Sequence, residues 1–251
     1  MSKIKINIGG AGGQMGKFTP LPRLGGALYA GYLLGADFHA LAAFGGGSID
    51  DLSGNGRSLT ETGGVYAANH MVCTPSNFLQ APFTDTTLFG SQGCTMIAVS
   101  ASGIAESSIE VGTFSNPASG TRGIALGTPT DSNLPLVSYN FSGGPQINLT
   151  ATPARDANVF EFRAGTFSPA GGLVYRRRSD VVGAQTNATT TAQSILVGQS
   201  VRIGQPNLGT TFDGTVKVAA AFFANRVLTI DELDDAYSET KALLAQFGLA
   251  I

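Results

Sequence analysis

The chain has no tryptophan, two cysteines, two histidines and charged residues at only 13% of its positions. Each shortage narrows the field. Without tryptophan, any platform for stacking on a sugar ring has to come from tyrosine or phenylalanine, and six tyrosines are present, among them Tyr139 and Tyr175. Cys73 and Cys94 make no disulfide framework in 251 residues, so free buried thiols are expected. His39 and His70 fall in no metal-ligand spacing, which leaves zinc and a histidine-based triad without support; no other metal can be assigned ligands. A net charge of −2 offers no general attraction to nucleic acid or to an anionic membrane. Long apolar runs are missing too. Leu24 to Ala36 is 13 residues, too short to span a bilayer and too internal for a secretory signal, so a soluble protein made in the cytoplasm is expected.

What the chain has in excess is glycine, 34 residues of it, with abundant Ser, Thr and Asn. The first glycine cluster, "KIKINIGGAGGQMGK" (Lys3 to Lys17), invites a dinucleotide-binding reading. That motif needs glycines at set spacing and a helix that begins at once to cradle the pyrophosphate. Here the register is off by one, because Met15 stands where the third glycine belongs, and Pro20 and Pro22 break the helix that should follow. Asp37 lies at the distance of a ribose-binding carboxylate, but "GGALYAGYLLGAD" before it reads as glycine-broken rather than as a strand. No cofactor is expected. Residues 1–36 read as a Gly-rich extended arm, able to add a strand to a partner's sheet or thread along a neighbouring subunit.

From about Gly64 onward short strand signals recur. "CTMIAVSAS", "SIEVGTF", "GIALGT", "LVSYNF", "NVFEFRAG", "LVYRRR", "SILVGQSVRIG" and "TVKVAAAFFA" are alternating or apolar, and turn-forming segments such as "SGGP", "SPAGG" and "FDG" separate them. The pattern predicts an all-β, antiparallel sandwich or barrel with no intervening helices. One helix closes the chain at about 229–247. Thr229 and Glu232 stand at capping-box spacing, and Leu233, Ala236, Tyr237, Thr240, Leu243, Leu244 and Phe247 share a face that must pack on the sandwich flank or on a neighbouring subunit.

Two stretches carry a family likeness. "LAAFGGGSIDDLSGNGRSLTETGG" (Leu41 to Gly64) resembles the entry of concanavalin A-like (laminin G-like) jelly rolls. "VRIGQPNLGTTFDGTVKVAAAFFANRVLTIDELDDAY" (Val201 to Tyr237) is similar to that family's closing pattern. The resemblance implies a jelly-roll β-sandwich over residues 37–251. Its turns would be shaped by Asp51, Ser53, Gly54, Asn55 and Gly56, and by Phe212, Asp213 and Gly214. In the long strand that follows, Val216, Val218, Ala220 and Phe222 would line one core face. The family's concave face implies sugar and sometimes calcium as ligands, but no residue here can be matched to either.

Domains of this kind with a closing helix and an unusual arm resemble bacteriophage virion proteins of tail fibre, baseplate or head decoration. The implied role is assembly, with copies of the chain and other virion proteins as partners, location in the virion, and contact with cell-surface glycan. The alternative is a free lectin-like carbohydrate-binding module. A glycan hydrolase or lyase would need two carboxylates about 5 Å apart; Glu110 and Glu161 each stand alone in their strands, so a non-enzyme is expected. Arg176, Arg177 and Arg178 read as solvated protection of a sheet edge, with Arg177 on the opposite face from its neighbours. Three sequons, at Asn140, Asn148 and Asn187, occur at the level chance allows, and "TNATTTAQS" (Thr186 to Ser194) reads as a polar loop, either a binding loop at a sandwich tip or a hairpin end.

Overall fold

The computed structural model describes residues 28–34, 49–103, 107–114, 123–128, 136–140, 147–150, 152, 156, 158–170, 172–189, 198–207 and 212–251. The glycine cluster at 9–16, Asp37 and His39 lie outside them, as does the second half of the polar loop at 190–194. The chain is an antiparallel β-sandwich of two sheets. The first sheet runs, in spatial order, through β1 (Leu28–Leu33), β14 (Val216–Ala224), β5 (Cys94–Ser102), β10 (Glu161–Ser168), β11 (Gly172–Ser179) and β12 (Gly183–Thr189), and β3 (Met71–Cys73) pairs with β14. The second runs β2 (Thr60–Thr62), β4 (Phe78–Thr84), β13 (Ser200–Ile203), β6 (Ser108–Gly112), β7 (Gly123–Thr128), β8 (Leu136–Asn140) and β9 (Ile147–Thr150). Among the described residues no helix is long and apolar enough to cross a membrane.

Because successive strand residues point to opposite faces, β1, β14, β5 and β10 of the first sheet each serve two cores. Met96 and Ala98 of β5 and Phe167 of β10 enter the core between the sheets, where Leu79, Phe83, Val111, Ile124 and Leu126 meet them from the second sheet. Ile97, Val99, Phe162 and Ala164 face the other way, against Leu233, Ala236, Tyr237, Leu243 and Leu244 of α2 (Ile230–Ala245). Burial of each large apolar side chain contributes about 1.5–3 kcal/mol. The closing helix therefore packs on the sandwich flank. A second, short helix that the sequence did not announce, α1 (Asp85–Phe89), follows β4 behind the Thr84 cap.

Three expectations are corrected. β1 falls within the stretch read as glycine-broken and as an arm, yet it pairs with β14 and buries Leu28, Tyr32 and Leu33. Its Gly31 is needed, since a Cβ there would stand 2.9 Å from the Phe222 ring. Along β14 the expected single face is split: Val216 and Val218 join the inter-sheet core, while Ala220 and Phe222 join the helix-side core. The register against β5 shifts between Val218 and Ala220, and one extra residue turns every later side chain over. Finally, β11 is an interior strand lying between β10 and β12, so its arginines protect no edge.

Candidate functional site

The last strand of each sheet ends up beside the other. β12, at the margin of the first sheet, reads GAQTNAT and is largely exposed; it carries no charge, so solvent and not a core holds its side chains. Asn187 Nδ2 donates to the Thr150 carbonyl at the end of β9, 3.0 Å away. Thr150, Thr152, Gln185, Thr186 and Asn187 line an open groove of about 410 Å³ at this seam. All five are hydroxyl or amide side chains, able to donate and accept at once. Gln185 Oε1 is buried without a hydrogen-bond partner.

Behind the groove stands β11, whose register against β12 places Arg176 opposite Thr186, Arg177 opposite Gln185 and Tyr175 opposite Asn187. Both guanidinium groups are already taken. Arg176 points toward α2, where its Nε and Nη2 donate to Asp234 over 2.6–3.0 Å, and its Nη1 donates to Thr186 Oγ1 at 2.5 Å. Arg178 joins the same carboxylate at 3.0 Å and lies 4.4 Å over the Tyr237 ring. Arg177 points the opposite way and is fully buried, with Nε 2.9 Å from Glu161 Oε2 and Nη2 2.5 Å from Glu161 Oε1.

Glu161 belongs to a charged cluster inside the sandwich. Arg163, two residues along β10, donates to Glu161 Oε2 from Nη2 at 3.2 Å and reaches across to Glu110 of β6. Thr128 Oγ1 of β7 lies 3.1 Å from Arg163 Nη1 and 3.2 Å from Glu110 Oε1. Two cations and two anions cancel, as they must where all four side chains are at most 1% exposed. Burial works to raise the Glu161 carboxyl, but hydrogen bonding from Arg177 and the charges of Arg163 and Arg177 reverse it and hold the group below its ordinary range. Burial raises Tyr175, and its hydroxyl, like Ser100 Oγ and Glu110 Oε2, is buried without a hydrogen-bond partner.

The residues singled out from the sequence lie elsewhere and hold loops. Asp51 accepts from the amides of Gly31, Ser53 and Arg57 over 3.0–3.2 Å and from the Ser53 hydroxyl, which pins its turn to β1. Gly54 and Gly56 have φ of 80° and 71°, and Asn55 Nδ2 donates to the Leu28 carbonyl. Phe212 packs edge-on against Phe114, Asp213 is exposed, and the Gly214 amide donates to Ser107 O. At α2, Thr229 and Glu232 form the reciprocal cap. Cys73 and Cys94 are free and buried, with burial pushing the Cys73 thiol up to about 12. None of these touches the groove. Of the groove residues, Thr186 and Asn187 fall in the polar segment read as a loop, which the structure places through Thr189 in strand β12. Thr150 enters the sequence reading only as part of the Asn148 sequon, and Thr152 and Gln185 carry no signal that sequence reasoning picked out, a charge-free run of Gln, Thr and Asn on an edge strand being the available one.

No protein-family model and no curated protein matches the sequence. Solved structures do. A Trypanosoma rangeli sialidase in complex with sialic acid aligns with a TM-score of 0.60 at 13% identity, over 87% of this chain and 33% of that one. The receptor binding domain of the botulinum neurotoxin C/D mosaic serotype aligns with a TM-score of 0.62 at 8% identity, over 90% and 55%. A structure of botulinum neurotoxin type C, whose cell entry is described as dependent on two ganglioside molecules, aligns at 0.60 and 10%, over 90% and 52%. The chain thus spans a third to about half of the chains it matches. The expectation of a non-enzyme is corrected by one finding: the fold recurs within chains that are sialidases. Glu110 and Glu161, each alone in its strand, meet on Arg163 inside the sandwich, where both are buried and ion-paired. At these identities the likeness is one of fold: the chain is similar to the lectin-like β-sandwiches found within sialidase and neurotoxin receptor-binding chains.

Proposed function

We propose that the chain is a lectin-like carbohydrate-binding module that takes a glycan in the groove between β9 and β12. The observation that carries this is the groove's lining, five hydroxyl and amide side chains at an exposed seam of the sandwich. Sugar hydroxyls are paired donors and acceptors, and Thr, Asn and Gln answer them in kind. The neighbours named for sialic acid and ganglioside lend the fold-level support. A glycan array probed with the purified chain should give defined positives, and Gln185→Ala and Asn187→Ala should weaken them at least about tenfold while leaving the melting temperature within a few degrees. Positives that persist unchanged in both variants would place binding elsewhere.

We also propose that the module is carried on a virion among copies of itself and other virion proteins. Support for this comes from the sequence, through the Gly-rich stretch before Asp37, the glycine-rich low-charge middle and the closing helix, which together resemble phage virion domains. Gold-labelled antibody on purified particles from the producing culture tests it: label on tail or shell supports the location, and unlabelled particles leave a free lectin.

A further inference from the structure

We infer that the groove selects uncharged glycans and disfavours sialylated ones; this rests on the glycan reading above. A carboxylate entering the site would give up part of its water and needs a cation or several donors in exchange. The described lining has no charge to offer: Thr150, Thr152, Gln185, Thr186 and Asn187 are all neutral.

The two cations of β11 in register with the lining are committed, as is Arg178 beside them on Asp234. Arg176, in register with Thr186, is only 11% exposed and closes a multidentate pair with Asp234 on α2. Arg177, in register with Gln185, is fully buried on Glu161. Recruiting either for a ligand would strip a carboxylate of one of its two arginine partners, and for Glu161 that carboxylate has no access to water. Sulfated and uronic-acid sugars are disfavoured on the same ground. A neutral sugar needs no such exchange, because the hydroxyl and amide groups of the lining can donate to its hydroxyls and accept from them.

The selectivity runs against the sialic acid and ganglioside in the names of the structural neighbours, which is why the distinction can be tested sharply. The probes are neutral oligosaccharides, each paired with its sialylated form and titrated by isothermal calorimetry against the whole chain. Neutral members are expected to bind, with sialylated partners at least about tenfold weaker. Equal or tighter binding of the sialylated members overturns the selectivity and leaves the glycan reading standing; no binding by either member of any pair overturns both. One variant addresses the cause. Thr152→Lys, at an exposed position of the lining, puts a cation on the groove itself. It is expected to strengthen sialylated binding and narrow the gap. A gap that stays unchanged in folded Thr152→Lys overturns the electrostatic cause.

Discussion

Arg163 Nη1 lies 2.5 Å from Glu110 Oε1, and the two side chains come from opposite sheets of the sandwich with neither exposed to solvent. The pair is one half of a neutral cluster, the other half being Glu161 with Arg177. Removing a single member leaves an unbalanced buried charge. Arg163→Leu or Glu110→Leu should therefore each cost about 3–5 kcal/mol in chemical unfolding. The double variant restores neutrality and keeps the Glu161–Arg177 pair, so it should be more stable than either single one. A double variant at the sum of the two losses would show that the charges act independently.

Acid should act through the same cluster. The Glu161 carboxyl is held below its ordinary range in the folded protein, whereas in the unfolded chain it titrates near 4.3. The folded state then binds fewer protons than the unfolded one in this window. Glu161's contribution to stability is complete above about pH 5, and it drains as the pH falls through the unfolded value toward the lower folded one. Unfolding free energies measured from about pH 6 down to about pH 3 should fall more steeply for the native chain than for Glu161→Gln, which starts lower. Parallel profiles would assign the acid loss to other carboxylates such as Asp234.

Two left-handed glycines separate strain from space. Gly56 has φ +71° and nothing within 4 Å of where a methyl group would stand, so Gly56→Ala should cost only the conformational penalty, about 1–2 kcal/mol. Gly204 has φ +86°, and a Cβ there would stand 2.1 Å from the Cβ of buried Cys73. Gly204→Ala adds overpacking to the same strain, about 1–3 kcal/mol more. Thermal melts should rank the two in that order, and the reverse ranking would contradict the packing around Cys73.

The sandwich is legible in the sequence because its strands are short, alternating and bounded by turn residues, and β7 coincides with the "GIALGT" segment. Alternation also puts Arg177 on the opposite face from Arg176 and Arg178. Periodicity says which side chains share a face but not whether the strand is central, so it leaves the three arginines looking like edge protection, and only β12 beside them shows otherwise. β1 escapes a sequence reading because its glycines look like breaks, although Gly31 is what lets the strand lie against Phe222. The groove is out of reach for another reason. Thr150 and Gln185 belong to strands of different sheets, and only the closing of the sandwich brings them together.

The closing helix is fastened at its start by a reciprocal pair. Glu232 N donates to Thr229 Oγ1 at 3.2 Å, and Thr229 N donates to Glu232 Oε2 at 2.8 Å. Arg226 grips the same carboxylate at 2.5 Å, and its hydrogen bond is the main cause holding the Glu232 group down to about 2. Thr229→Ala removes the acceptor for the Glu232 amide and, by the usual worth of such caps, should cost about 1 kcal/mol. Thr229→Ser keeps the hydroxyl and should recover most of it. Because α2 covers the outer face of the first sheet through Leu233, Ala236 and Tyr237, the loss should appear as a lower urea midpoint for the whole domain with an unchanged slope. A reduced slope or a separate early transition would mean instead that the helix frays from the sheet on its own.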